Sequence, residues 1–272
     1  MLRETIKRQL QGIVQHKYLE LTTRGNTAID AALSIIPAGQ KILIPEEGGW
    51  LHYKTGPKKI GLLTEEVKCD DAAINLDDLR QKLHTDEYAA LLYQNPGGYH
   101  AEQPVREIYT LCRKHNCLVI IDISGAIGTP LGKGDYADIL VCSFGTWKLV
   151  EAKAGGFIST DNSKLWDQLQ GKIKTLQDEK ILAIIREQLN ELPKRIQQLA
   201  EIRNTVLAAG QEQGWKILHP HDFGTVVIVP FATEREKQKI IKYCTQNQLE
   251  WTECPRYIRL NTPAISIEIK RK

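Results

Sequence analysis

Long apolar runs are scarce in this sequence. No stretch approaches the ~18 uninterrupted apolar residues that a membrane span needs, and Met1-Leu2-Arg3-Glu4-Thr5 opens without the apolar core of a signal peptide. The expected setting is the cytoplasm, without a membrane partner. Cysteine is limited to six residues (Cys69, Cys112, Cys117, Cys142, Cys244, Cys254), with no C-x-x-C pair and no paired Cys/His ligand spacing. A zinc site and a disulfide framework are therefore not expected, and most of these thiols read as buried. Charge of one sign is also lacking. The 36 Lys and Arg residues nearly cancel the 33 Asp and Glu residues, leaving +3, too small a surplus to argue for nucleic acid by charge. Aromatics make up 7% and there is one Met, so the core must be built from Leu, Ile, Val and Ala. What remains, 42% hydrophobic and 25% charged, excludes disorder and fibre. A length of 272 residues, at about 150 per domain, suggests one large domain or one large and one small.

Apolar runs alternate with amphipathic ones through the first half, the pattern of a mostly parallel sheet with helices on its faces. Helical spacing covers 26–36 and stops at Pro37-Ala38-Gly39. Helices are also expected at 76–83 and from Pro104 to about His115. Strands are expected at 41–45, 89–94, 117–122, 137–143 and 155–159, the last ending the sheet. The strand 117–122 is apolar on both faces and so belongs in the sheet centre. From about 163 to 209 the pattern is polar and helical, with Pro193 as a break or kink. Residues 224–230 and 257–260 read as strands of a second unit. The fold class is α/β, divided into a major unit over 1–165 and a helical connection with a small α+β unit over 166–272.

Asp122 ends the most apolar strand at its carboxyl end, where open α/β sheets place their ligands. Alone it reads first as a turn cap. Lys148, just past the next strand in Ser143-Phe144-Gly145-Thr146-Trp147-Lys148, points into the same cleft and shifts the balance towards a site.

Ser143-Phe144-x-x-x-Lys148 followed by Ala154-Gly155-Gly156-Phe157-Ile158-Ser159-Thr160 resembles the Schiff-base lysine region of fold type I pyridoxal phosphate (PLP) enzymes, above all the DegT/StrS aminotransferases. The stretch from Lys148 to Gly155 also resembles selenocysteine synthase. Asp122-Ile123-Ser124-Gly125-Ala126 stands where that superfamily carries its ring-nitrogen aspartate, and Arg24-Gly25-Asn26-Thr27-Ala28 resembles its phosphate-binding turn. The resemblance spans residues 20–160 and implies a mostly parallel, seven-stranded-type sheet. It also implies PLP as cofactor and a homodimer. The residue types suit that chemistry. A carboxylate about 3 Å from the ring nitrogen is worth roughly 5 kcal/mol at an effective dielectric of ~20, before desolvation. A lysine that carries the aldehyde and shuttles a proton calls for a pKa lowered by burial and nearby cations. Backbone N–H groups of Gly25, Asn26 and Thr27 at a helix start suit a phosphate.

The resemblance also assigns Ser124, Ser143 and Thr146 to cofactor binding, with Trp50 as the stacking ring and His52 or Tyr53 as alternatives. It implies that Asn95, in Gln94-Asn95-Pro96-Gly97-Gly98, bonds the phenolic oxygen, and that Arg259 meets a substrate carboxylate. His219-Pro220-His221 suits a loop better than a metal. Fold type I chains are usually longer, so the arm before Gly25 and the part after Thr160 are abbreviated. The leading expectation is an aminotransferase for a small amino acid or amino sugar. A PLP-dependent lyase or β-replacement enzyme comes second, and a non-catalytic scaffold of the same fold third. A tRNA-borne substrate stays open.

Overall fold

The computed structural model describes residues 2–272. Helix α1 (Leu2–Val14) leads into β1 (Tyr18–Thr22), α2 (Gly25–Leu33), β2 (Lys41–Pro45), α3 (His52–Lys59) and β3 (Leu63–Val67). A small ribbon of β4 (Cys69–Asp70) and β5 (Ala73–Ile74) precedes α4 (Leu76–Thr85), β6 (Ala90–Gln94), α5 (Val105–Lys114) and β7 (Leu118–Asp122). Then come β8 (Ile139–Ser143), β9 (Gly156–Thr160), α6 (Ser163–Leu169) and the 34-residue α7 (Glu179–Glu212). The chain closes with β10 (Val227–Pro230), α8 (Glu234–Gln246), β11 (Trp251–Cys254) and β12 (Ala264–Ile267).

The main sheet has the order β1-β9-β8-β7-β6-β2-β3, with β9 antiparallel to both its neighbours and the other pairings parallel. Parallel strands need crossover helices, which cover both faces, so β6 is buried throughout and β7 at all but its first residue. Side chains alternate between the two layers. Leu91, Tyr93, Val119 and Ile121 join Ile6, Leu10, Ile108, Cys112 and Leu189 in one cluster, while Ala90, Leu92 and Ile120 join Ala28, Ile29, Ala32 and Tyr53 in the other. β7 is the fourth of seven strands, central as its sequence implies.

β9 is the last strand that the chain gives to the main sheet, as expected, with the earlier β1 pairing at its outer side. Two other expectations need correction. Pro193 does not break α7. A proline missing one helical bond is tolerated where Leu182, Ile185, Leu189, Leu192 and Leu199 keep the helix pressed onto the core. Residues 257–260 form a turn, with Arg259 N–H donating to Arg256 O at 2.7 Å. The second sheet is instead β10-β12-β11, antiparallel throughout. The prolines at 255 and 263 bound that turn, and a proline cannot extend a ladder.

Candidate active site

The carboxyl ends of β7 and β8 lie side by side, and the N-terminus of α2 is packed onto them. Asp122 is 6% exposed. Its Oδ1 accepts the Ser124 N–H at 2.9 Å and its Oδ2 the Tyr53 hydroxyl at 2.9 Å. Burial first, then the Asp122 charge, push the Tyr53 phenol well up, so that it stays a donor. The Ser124 hydroxyl accepts the Ser143 N–H at 2.8 Å, locking the two strand ends together. At the start of α2 the Thr27 hydroxyl donates to Arg24 O at 2.7 Å and accepts the Arg24 N–H at 3.1 Å, fixing the first turn.

A cleft with about 160 Å³ of free space opens here, lined by Arg24, Gly25, Asn26, Trp50, Asp122, Ser124, Ser143, Lys148 and Lys153 among others. Trp50 Nε1 donates to Asn26 Oδ1 at 2.8 Å, and the Lys148 amine lies 5.6 Å from the Trp50 ring centroid. That amine also hydrogen-bonds the Tyr99 hydroxyl. Burial opposes its charge, but Tyr99 and Asp122 outweigh burial and leave it above the ordinary lysine value. The sequence led us to expect a lowered value. The correction has a physical cause, because the neighbours facing this amine are a phenol and a carboxylate.

The residues present fit PLP. A Cβ on Gly25 would stand 2.5 Å from Ser143 Cβ, so only glycine lets the helix N-terminus meet the β8 end this closely. Helix-start N–H groups lack intrahelical partners and favour an anion, and Arg24, Lys153 and the Ser143 hydroxyl add to that wall. Asp122 would hold the ring nitrogen, Trp50 would cover the ring, and Lys148 would carry the aldehyde.

Gly25, Asn26, Trp50, Asp122, Ser124, Ser143 and Lys148 are thus brought together, and five other candidates are not. Thr27 does not line the cleft and its side chain is engaged in its own helix cap, while the backbone N–H through which it was expected to act lies in the first turn of α2. His52 turns to Asp30, 2.6 Å away, at the start of α3. Asn95 is fully buried, accepting Gln103 N–H at 3.1 Å and donating to Leu131 O at 3.3 Å, so both ends of its amide are occupied. Thr146 is exposed beyond the cleft wall. Arg259 is 2% exposed and gives two hydrogen bonds, 3.0 and 2.8 Å, to Glu268, which leaves no free fork for a substrate. His219 engages Asp71 O and Asp222, and no group of three metal-binding side chains occurs among the described residues. Tyr53 supports Asp122 rather than stacking on a ligand. Arg24, Lys153 and Tyr99 are the additions. Arg24 opens the phosphate-turn motif, where its charge is the signal that could have singled it out, whereas Lys153 and Tyr99 carry no sequence signal.

Residues 64–179, the stretch holding Asp122 and Lys148, match the DegT/DnrJ/EryC1/StrS aminotransferase family. No curated protein matches the chain by sequence. Among solved structures, PseC of Helicobacter pylori, an aminotransferase involved in the biosynthesis of pseudoaminic acid, superposes with a TM-score of 0.82 at 14% identity, over 98% of this chain and 85% of that one. An aminotransferase from Psychrobacter cryohalolentis gives 0.80 at 16%, over 99% and 89%. 3-Amino-5-hydroxybenzoic acid synthase gives 0.78 at 13%, over 99% and 85%. The structural likeness carries the fold of the whole chain, and the family match carries the aminotransferase and PLP assignment for the stretch with the lysine and the acid. Both expectations are borne out.

Proposed function

We propose that this chain, its centre matching the DegT/DnrJ/EryC1/StrS aminotransferases, transfers an amino group to or from a small amino sugar or amino acid, with Lys148 as the lysine that carries PLP. The observation that carries the reading is the convergence of Lys148 and Asp122 on one cleft whose floor is the N-terminus of α2. When bound, PLP supplies an aldehyde that condenses with amines and a ring that stores an electron pair. Asp122, held by Tyr53 and Ser124, keeps a negative charge where the ring nitrogen must stay protonated. Gly25, Asn26 and Ser143, with Arg24 and Lys153, bind and orient the phosphate. Once a substrate amine takes its place, the freed Lys148 amine would carry a proton between the substrate Cα and the aldehyde carbon that PLP supplies, in one direction for the amino donor and in the other for the keto acceptor. Amino sugars lead as substrates because PseC, which shares the fold, is an aminotransferase involved in the biosynthesis of pseudoaminic acid.

Within the lyase alternative, a cysteine desulfurase loses support at its nucleophile. Cys244 is buried in α8 with its thiol pushed up to about 12, and Cys254 is buried in β11. A thiol held protonated away from the cleft is no sulfur acceptor. We take the active protein to be a cytoplasmic homodimer. In support, Leu51 and Trp147, 54% and 44% exposed, adjoin the cleft residues Trp50 and Lys148 in sequence. The test is addition of PLP to the purified chain. A visible band that borohydride abolishes, with the reduced label on Lys148, and pyridoxamine phosphate formed from an amino donor are expected. Release of sulfide or pyruvate instead would favour elimination. Absence of any band or label would overturn the PLP reading.

A further inference from the structure

Tyr99 occupies a backbone conformation that its side chain disfavours. Gly98 and Tyr99 both lie in the left-handed region, at φ +57° and +70°. Glycine enters it freely, but for an L-residue with a bulky side chain it costs about 1–2 kcal/mol. The conformation buries the Tyr99 ring to 4% exposure and brings its hydroxyl onto the Lys148 amine. Around the ring centroid, Lys270 Nζ lies at 3.5 Å, Lys148 Nζ at 4.7 Å and the Arg259 guanidinium carbon at 4.9 Å. A second feature is independent of the first. A Cβ on Gly125, within the turn that follows Asp122, would stand 2.8 Å from Tyr99 Cδ1, so the loop beyond β7 leaves this ring its space. Tyr99 O also accepts the Thr225 N–H at 2.9 Å, tying the loop to the segment entering β10.

We propose that Tyr99 is the positioning residue of Lys148: its hydroxyl receives and holds the lysine amine in the cleft, while Lys270 and Arg259, seated on its ring, fix it from the second sheet. Arg259 is in turn anchored by Glu268 just past β12, so the small sheet helps set where the reactive amine rests. This deepens the PLP reading and rests on it for its catalytic meaning. The geometry between Tyr99 and Lys148 stands without a cofactor. The titratable and charged groups acting on Lys148 and its phenol are Tyr99 itself, Asp122, Cys142, Lys270 and Arg259. Of these, Tyr99 and Asp122 do most to hold the lysine protonated against its burial.

Tyr99→Phe keeps the ring and its cations and deletes only the hydroxyl. In the full chain without PLP, Lys148 acylation is followed site by site by mass spectrometry across pH, beside the wild type. The midpoint of the Lys148 profile should move to lower pH, and a midpoint lower by one pH unit gives about tenfold more free amine at neutral pH. Gly125→Ala, which retains the hydroxyl but displaces the ring, should move the profile in the same direction. A Tyr99→Phe profile that superposes on the wild type, in a protein with an unchanged urea midpoint, overturns the proposal whatever Gly125→Ala does. The two failures are separable. A wild-type chain that takes up no PLP sinks the proposed function and leaves the Tyr99 test readable, whereas normal PLP uptake with an unmoved lysine profile sinks only Tyr99.

Discussion

Glu268→Ala isolates the largest electrostatic commitment in the second sheet. The Glu268 carboxylate is 1% exposed and accepts from Arg259 Nη2 at 3.0 and 2.8 Å, from the Ser266 hydroxyl at 2.9 Å and from the Thr252 hydroxyl at 2.8 Å. Lys270 Nζ lies 3.8 Å and Arg271 Nε 3.7 Å away. Burial alone would push this carboxyl up, but Arg259 and Lys270 outweigh it and bring it down to about 2. At 1.36 kcal/mol per pH unit, a fall from an ordinary glutamate is worth roughly 3 kcal/mol. An independent route gives a similar figure, since removing one partner of a buried pair costs about 3–5 kcal/mol because the other charge is left stranded. The expected loss in urea unfolding followed by circular dichroism is therefore about 3–5 kcal/mol, on the order of 10 °C in Tm for a chain of this size. The pH dependence has a definite sign. A depressed carboxylate stabilises above its unfolded value and loses that contribution as pH falls towards 2, so the wild type should weaken across that window and the variant should not. A double variant, Arg259→Met with Glu268→Met, should recover much of the loss, because the stranded guanidinium goes with its partner. A single-variant loss under about 1 kcal/mol, the value of a solvent-exposed pair, would refute the reasoning.

Gly25→Ala must push Ser143 off the start of α2, since the new Cβ would stand 2.5 Å from Ser143 Cβ; PLP titration should show affinity lower by at least about tenfold with secondary structure intact. Lys148→Ala should leave no borohydride-reducible label, and turnover at the wild-type rate in that variant would contradict the mechanism. Asp122→Ala should weaken PLP retention and reduce turnover, the share lost tracking roughly 5 kcal/mol of attraction before desolvation. His100 is 1% exposed with its pKa lowered to about 3 by burial, then by His219 and Arg259. The unfolded chain binds the extra proton between about 6.5 and 3, so stability should drop as pH falls through that range, by about 2 kcal/mol at pH 5. His16, lowered by burial, adds to this, while Glu47 and Asp138, raised by burial, oppose it. His100→Leu should flatten the slope of the urea midpoint between pH 6.5 and 5, and an unchanged slope would show that His100 does not titrate as a buried neutral ring.

The parts of the fold that local pattern controls were legible, and those decided by tertiary context were not. β2, β6 and β7 announce themselves because parallel strands covered on both faces need unbroken apolar runs. β1 (YLELT) and β3 (LTEEV) lie on the two sheet edges, where one face meets water, and their short polar sequences give no such signal. Tyr257-Ile258-Arg259-Leu260 looks like a strand by composition, but the prolines that flank it force the turn. Asp122, Lys148 and Gly25, which line one cleft, could be singled out because each follows from an element boundary. Arg259 was misplaced because its partner, Glu268, lies in the following segment and no spacing rule links a turn arginine to a glutamate beyond the next strand. Tyr99 was missed because its position depends on a left-handed backbone that the sequence does not encode by residue type.

The distribution of charge in the cleft narrows its ligands before shape is considered. Arg24, the N-cap of α2, and Lys153, in the loop after Lys148, line the cleft, and Asp122 stands at the end of β7. Such a cleft favours a molecule that is anionic at one end and cationic at the other, which is the polarity of PLP with a protonated ring. A dianion would bring Asp122 no cationic group of its own and would set a second negative charge near it. A purely cationic ligand would meet Arg24 and Lys153 instead. Tyr53 adds to this selection. Its phenol, held protonated by burial, takes one lone pair of Oδ2 as the Ser124 N–H takes one of Oδ1, which leaves Asp122 one acceptor site on each oxygen for N–H donors in the cleft.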